Sequence, residues 1–243
     1  MLIALPLCFA LAACNVAAAD APAQPRRSAG IVAPTADQPV VLELYQSQGC
    51  SSCPPANANV NALAQRPDVL ALSFAVTYWD QLGWRDRFAD PAFTARQWDY
   101  ARANGRRSVW TPQLVVNGRP DTVTGRNAAD IDALIARAGR PRGGPAITVN
   151  GNIVQLGAGQ PGSPATIWLV HYDPREQAVP ISAGENGGRT LPHRNIVRGL
   201  FNLGAWNGTA RSVELPQFRA PLWASAVLIQ RGRGGPIIAA RRL

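Results

Sequence analysis

A chain of 243 residues, 47% hydrophobic and 16% charged, is long enough for one large or two ordinary globular domains, and two are expected. Its 24 basic residues are all Arg, set against 15 acidic ones for a formal charge of +9. They are spread along the chain, at Arg26, Arg66, Arg85, Arg119, Arg137, Arg175, Arg198 and Arg241 among others, and no basic run is interleaved with aromatics; this argues against a nucleic-acid binder.

Residues 1–19 read as an export signal, because Leu2 to Ala13 is apolar and Ala17 to Ala19 place small residues before Asp20. The run is too short to span a membrane. Leu11-Ala12-Ala13-Cys14 resembles a bacterial lipoprotein cleavage box, so a lipid on Cys14 is the one membrane attachment expected. The expected location is periplasmic or secreted, lipid-anchored if that box is used. Cys8 leaves with the signal, so the folded body keeps Cys50 and Cys53 in an oxidising compartment. Residues 20–39, with Pro22, Pro25, Pro34 and Pro39, read as a flexible linker.

The first expected domain spans 40–142. Val40 to Tyr45 is a strand; Pro54 and Pro55 suit the first turn of a helix on which Ala56, Val60, Leu63 and Ala64 recur at helical spacing; Val69 to Val76 is a buried strand. Residues 77–110 form an aromatic-rich insertion with a helix from Pro91 to Asn104, whose plainest reading is a packed cap. Gln113 to Val116 is a strand ending at the turn Asn117-Gly118. A closing helix follows, with Asn127 as N-cap, Ile131, Leu134, Ile135 and Ala138 on one face, and Gly139 past its end. Such alternation favours an α/β layer with parallel pairing.

Composition changes at Arg140 to Pro145, which marks the expected boundary of a second domain, 143–243. Helical periodicity disappears there. Ala146 to Val149 and Asn152 to Leu156 flank Asn150-Gly151, a hairpin signal with positive φ expected at both turn residues. Thr166 to Tyr172, Ile196 to Leu203, Ser212 to Leu215, Trp223 to Gln230 and Ile237 to Ala240 add short strands, a sandwich-like all-β pattern. Gly157 to Gly162 fits the dinucleotide-binding glycine pattern by letter, but the strand-like run after Pro161 and Pro164 makes it a loop.

The chemistry-bearing feature is Cys50-Ser51-Ser52-Cys53 where a strand loop becomes a helix. Unpaired N–H groups and the positive end of the helix dipole favour a thiolate there, so Cys50 is the expected accessible nucleophile and Cys53 the resolving thiol. Trp110-Thr111-Pro112 precedes the next strand, where thioredoxin-like folds carry a cis proline beside the disulfide. A zinc site would need a second ligand pair, and His171 and His193 lie in the other expected domain; no metal and no cofactor beyond the redox-active disulfide are expected. Glu43 is a candidate proton acceptor for Cys53, with an exposed edge position or an Arg salt bridge as the alternatives. Trp79, Asp80, Trp84 and Gln113 are candidates for a substrate groove. Arg194, Asn195 and Arg198 with Glu185 and Asn186 read as a surface network before an anion groove.

Glu43-Leu44-Tyr45, Ser47 to Pro55, Tyr78-Trp79-Asp80-Gln81-Leu82-Gly83-Trp84, Thr111-Pro112-Gln113 and Glu185-Asn186-Gly187 together resemble the secreted family catalogued as domain of unknown function twelve twenty-three, over about residues 40–243. The resemblance implies a thioredoxin-like fold and an extracytoplasmic bacterial setting, and carries no substrate. The chain departs from the family pattern at Ala75 and Thr77, where a His and an Asp are frequent. The expected function is thiol-disulfide exchange with protein thiols or a redox partner protein. The alternative is a non-catalytic binding or scaffold module with a structural disulfide.

Overall fold

The computed structural model describes residues 31–120, 124–217 and 220–243; the expected export signal, Cys14 and the first part of the expected linker lie outside them. β1 (Val40–Gln46) pairs in parallel with β2 (Val69–Ala75) through α1 (Pro54–Leu63), which starts on its two prolines because the first helical N–H groups have no intrahelical acceptor to lose. β3 (Gln113–Val116) lies antiparallel on the other side of β1 and turns through Asn117 and Gly118, both at positive φ, into β4 (Arg119–Pro120). α2 (Pro91–Ala103) and α3 (Ala128–Ala138) begin alike, the side chains of Asp90 and Asn127 accepting the N–H of Ala92 and Ala129. Alternation along β1 sends Leu42 and Leu44 to a core with Val60, Leu114, Ile131 and Leu134, and Val41 and Tyr45 to one with Phe74, Phe93 and Tyr100. The aromatic insertion is thus packed, not draped.

The second half departs from expectation. It supplies β5 (Ile147–Asn150), β6 (Ile153–Leu156), β7 (Ala165–Asp173), β8 (Gln177–Pro180), β9 (Thr190–His193), β10 (Ile196–Trp206), β11 (Arg211–Glu214), β12 (Ala224–Arg231) and β13 (Ile237–Arg242). Four of these continue the first half's sheet, in the order β13-β12-β7-β10-β2-β1-β3-β4, so residues 31–243 are one compact unit and not an α/β domain followed by a separate all-β one. The seam is β10 beside β2: Ile196 pairs in parallel with Ser73, and Asn195, at φ 50°, donates from Nδ2 to the Ala71 carbonyl at 2.8 Å while its own carbonyl accepts Ser73 N–H at 3.0 Å. Tyr172, Val197 and Leu228 join the core of Phe74 and Phe93 across it. A sandwich survives locally, with β11-β6-β5 packing Ile147, Val154 and Leu156 on Ile167, Val227 and Ile229 of the long sheet.

Three smaller corrections follow from local geometry. The β5–β6 turn is Gly151-Asn152, and only Gly151 takes positive φ. The described part of the expected linker, residues 31–39, is tied down: Arg140 N–H donates to the Val32 carbonyl, Thr35 and Gln38 bond each other, and Asp37 pairs with Arg241 at 3.3 Å. The antiparallel pair β8–β9 had no signal among the expected strands.

Asn117 holds three elements at once. Its Oδ1 accepts Val41 N–H at 2.8 Å, its Nδ2 donates to Gly139 O at 2.9 Å past the end of α3, and its carbonyl accepts Ile237 N–H at 2.9 Å. Asn117→Ala should therefore destabilise by ~2–4 kcal/mol, read from the urea midpoint, because it strands buried backbone groups.

Candidate functional site

From β1 the chain turns through Ser47 to Cys50, where Cys50 N–H donates to Ser47 O and Cys53 N–H to Cys50 O, both at 3.1 Å. Cys50 and Cys53 are joined as a disulfide, Cα to Cα 5.4 Å. Cys53 is the N-cap of α1, and Pro54 and Pro55 remove two of the N–H groups that the expected helix-end stabilisation of a Cys50 thiolate relied on. Ser52 Oγ is 3.3 Å from Cys50 Sγ and 3.5 Å from the Thr111 carbonyl, which brings the Thr111–Pro112 peptide, in the cis form, beside the loop. Trp79 Nε1 donates to Thr111 Oγ1 at 2.7 Å, and Trp84 Nε1 to Gln48 Oε1 at 2.9 Å.

Neither sulfur is open. Cys50 and Cys53 are both 0% exposed, so the solvent-facing nucleophile expected at Cys50 is corrected. The loop that carries them is bonded to the segment between β8 and β9. Glu185 Oε2 accepts Ser51 N–H at 3.0 Å and Ser51 Oγ–H at 2.6 Å, and these two bonds, the hydroxyl's first, hold its carboxyl below the usual range. Asn186, itself buried, donates from Nδ2 to Gln48 O at 2.8 Å and Cys50 O at 2.9 Å, and Arg189 anchors its Oδ1 at 2.7 Å. Around Asn186 the segment is thin, since Glu185, Gly187 and Gly188 are exposed.

Reading Glu185 and Asn186 as part of a surface network, or of an anion groove, missed this. Their expected companions go elsewhere: Arg194 to Glu176 at 3.6 Å, Asn195 to the β2 backbone, and Arg198 over the rings of Phe88 and Trp223. Two glycines after Glu185-Asn186 were the available signal, a turn able to lay its side chains back on a neighbouring loop.

Of the readings offered for Glu43, the Arg salt bridge holds and the proton-acceptor role for Cys53 does not. Glu43 lies on the α2 side of the sheet, where Oε1 accepts Arg96 Nη2–H at 2.6 Å and Nε–H at 3.2 Å and Oε2 accepts the Tyr45 hydroxyl at 3.0 Å. Arg96 also donates to Gln230 Oε1 and Tyr100 Oη, and the group is sealed; burial first, then Glu43, pushes the Tyr45 hydroxyl well above its ordinary value. Gln113 is buried and accepts Gln97 Nε2–H at 2.7 Å, so it lines no open groove, and Asp80 accepts Asp86 N–H at 3.1 Å. Arg96→Met should cost ~3–5 kcal/mol in chemical unfolding, because it leaves a buried carboxylate without its partner.

Two buried titratable groups flank the closing segment. Asp86 accepts Gln48 N–H at 2.8 Å and Phe88 N–H at 2.9 Å, yet burial pushes its carboxyl up to about 6. On β9, His193 sits edge-on to Phe88 at 6.1 Å, and burial, with Arg87 second, pulls its imidazole down to about 4. The Asp86 contribution is full below the unfolded carboxyl value of 3.8 and is lost as pH rises through about 6. The His193 contribution is full above 6.5 and is lost as pH falls through about 4, so the two offset each other in between. Relative to the parent chain, His193→Leu should gain ~3 kcal/mol as pH is lowered across that window, at about 1.4 kcal/mol per pKa unit; parallel urea titrations of both chains measure it.

A family model described as "Protein of unknown function (DUF1223)" matches residues 41–230. Among solved structures, protein AGR_C_4864 of Agrobacterium tumefaciens is 33% identical with a TM-score of 0.68, the match covering 84% of this chain and 93% of that one. HBP35 of Porphyromonas gingivalis, 13% identical with a TM-score of 0.51 over 85% of this chain and 75% of that one, shares the fold. No curated protein matches the chain. The chain belongs to the DUF1223 family.

Proposed function

We propose that this chain is an exported thiol-disulfide exchange protein of thioredoxin-like fold whose oxidised form is held closed, and which reacts with protein thiols once the segment between β8 and β9 is displaced. The fold reading is supported by the β1-α1-β2 unit, the β3–β4 hairpin and the closing helix α3, with the cysteine pair at the start of α1 and Thr111-Pro112 before β3. Export to a periplasmic or secreted location, with Cys14 as the one lipid attachment point, rests on the residue pattern of 1–19.

The observation that carries the reading is the nature of the seal. Four hydrogen bonds tie the segment to residues 48–51, the loop that presents the disulfide: Ser51 donates two to Glu185, and Asn186 donates two to the Gln48 and Cys50 carbonyls. With the segment away, a partner thiolate attacks Cys50 Sγ, the Cys50–Cys53 bond breaks, and Cys53 leaves as a thiolate. A second partner thiolate then attacks the partner's sulfur in the mixed disulfide and releases Cys50. The partner dithiol is oxidised to a disulfide, the Cys50–Cys53 pair is reduced, and the reverse sequence oxidises it again.

A second reading, a binding or scaffold module with a structural disulfide, is favoured by the complete burial of both sulfurs. The two separate by experiment. For an exchange protein, the reduction potential lies above about −300 mV, and Glu185→Ala with Asn186→Ala speeds reduction by dithiothreitol about tenfold or more without unfolding the chain. Cys53→Ser in that background should trap partners through Cys50. A potential below that value, with loss of the fold on reduction and no trapped partner, leaves the scaffold reading.

A further inference from the structure

Arginines that are scattered in sequence converge in one place. Arg119 at the start of β4, Arg140 just after α3 and Arg231 at the end of β12 line a single cavity of about 300 Å3, which Arg137 and Arg142 also border and which has no carboxylate among its described lining residues. The Nε atoms of Arg140 and Arg231 are buried and meet no hydrogen-bond acceptor among the described residues. Leaving charged donors buried without acceptors is costly, and several guanidinium groups around one void repel each other.

Backbone contacts hold the loop that carries Arg140. Arg140 N–H donates to Val32 O at 3.1 Å, Gly139 O accepts Asn117 Nδ2–H at 2.9 Å, and Gly144 N–H donates to Ile238 O at 3.1 Å, clamping the loop at both ends. Arg231 N–H donates to Pro236 O at 2.9 Å, and the loop lies close enough that a Cβ on Gly143 would sit 3.4 Å from Arg231 Nη2. A cationic, preformed cavity of this size has room for a multivalent oxyanion, alone or on a small molecule, whose tetrahedral oxygens accept from planar guanidinium forks.

We infer that this cavity binds a phosphate-type oxyanion, as inorganic phosphate or as the phosphate of a small organic molecule or lipid headgroup, through Arg119, Arg140 and Arg231. The site shares no residue with the disulfide and its cover, so it stands whether or not thiol exchange does.

Calorimetric titration of the full chain with inorganic phosphate and with pyrophosphate tests it. Saturable one-to-one binding is expected, weakened about tenfold or more by Arg140→Gln with Arg231→Gln and unchanged by Arg85→Gln, which removes an arginine charge from an exposed position outside the cavity. If the double variant does not fold, Arg119→Gln, which alters an exposed side chain, carries the same expectation. A second arm uses phosphatidic acid vesicles against phosphatidylcholine vesicles. Retention on the former alone, lost in the arginine variants, assigns a lipid headgroup; phosphate binding without vesicle retention assigns a soluble phosphate. No saturable binding up to about 10 mM, or equal weakening by Arg85→Gln, overturns the inference.

Discussion

The seam between β10 and β2 is the constraint on which the rest of the molecule depends. It consists of little: the parallel pair Ile196 and Ser73, flanked by an asparagine at positive φ that returns two hydrogen bonds to β2. Yet it docks one half of the chain on the other, and the apolar core of Phe74, Phe93, Tyr172 and Leu228 closes across it. With the seam in place, β8 and β9 stand beside α1, where Asn61 donates to the Pro192 carbonyl and accepts from Arg194 N–H, and the segment they enclose reaches the disulfide.

That arrangement gives the disulfide an unusual setting. The cysteine loop is held from below by Asp86 and Trp84 through Gln48, from the side by Ser52 and Thr111, and from above by Glu185 and Asn186. The polar cluster of Glu43, Arg96, Tyr45, Tyr100 and Gln230 is of another kind. It is fully enclosed, mutually satisfied and anchored on β1, α2 and β12, so it ties α2 to both halves of the sheet.

Much of this was legible in residues 40–142. Paired prolines, Asp90 and Asn127 as caps, Asn117-Gly118 as a turn and the period of Ile131, Leu134 and Ile135 act over a few residues, and the elements formed where those local rules put them. The strands of 143–243 other than β8 and β9 were legible as strands too. Their pairing was not, because a strand's alternation records which face is buried and not which neighbour it pairs with. Glu43 shows the same limit: its burial could be read from its apolar neighbours, but its partner Arg96 is 53 residues away and reaches it only when α2 packs on the sheet.

The amino-acid order by itself therefore determined the local elements, the adjacency of two cysteines at a helix start and the absence of any lysine, since each depends on neighbours in sequence alone. Only the tertiary structure decided that one sheet runs through both halves, that the disulfide lies beneath Glu185 and Asn186, and that Arg119, Arg140 and Arg231 share a cavity. Those outcomes are set by long-range pairing across the seam, where the free energy comes from surfaces distant in sequence that meet only in the folded chain.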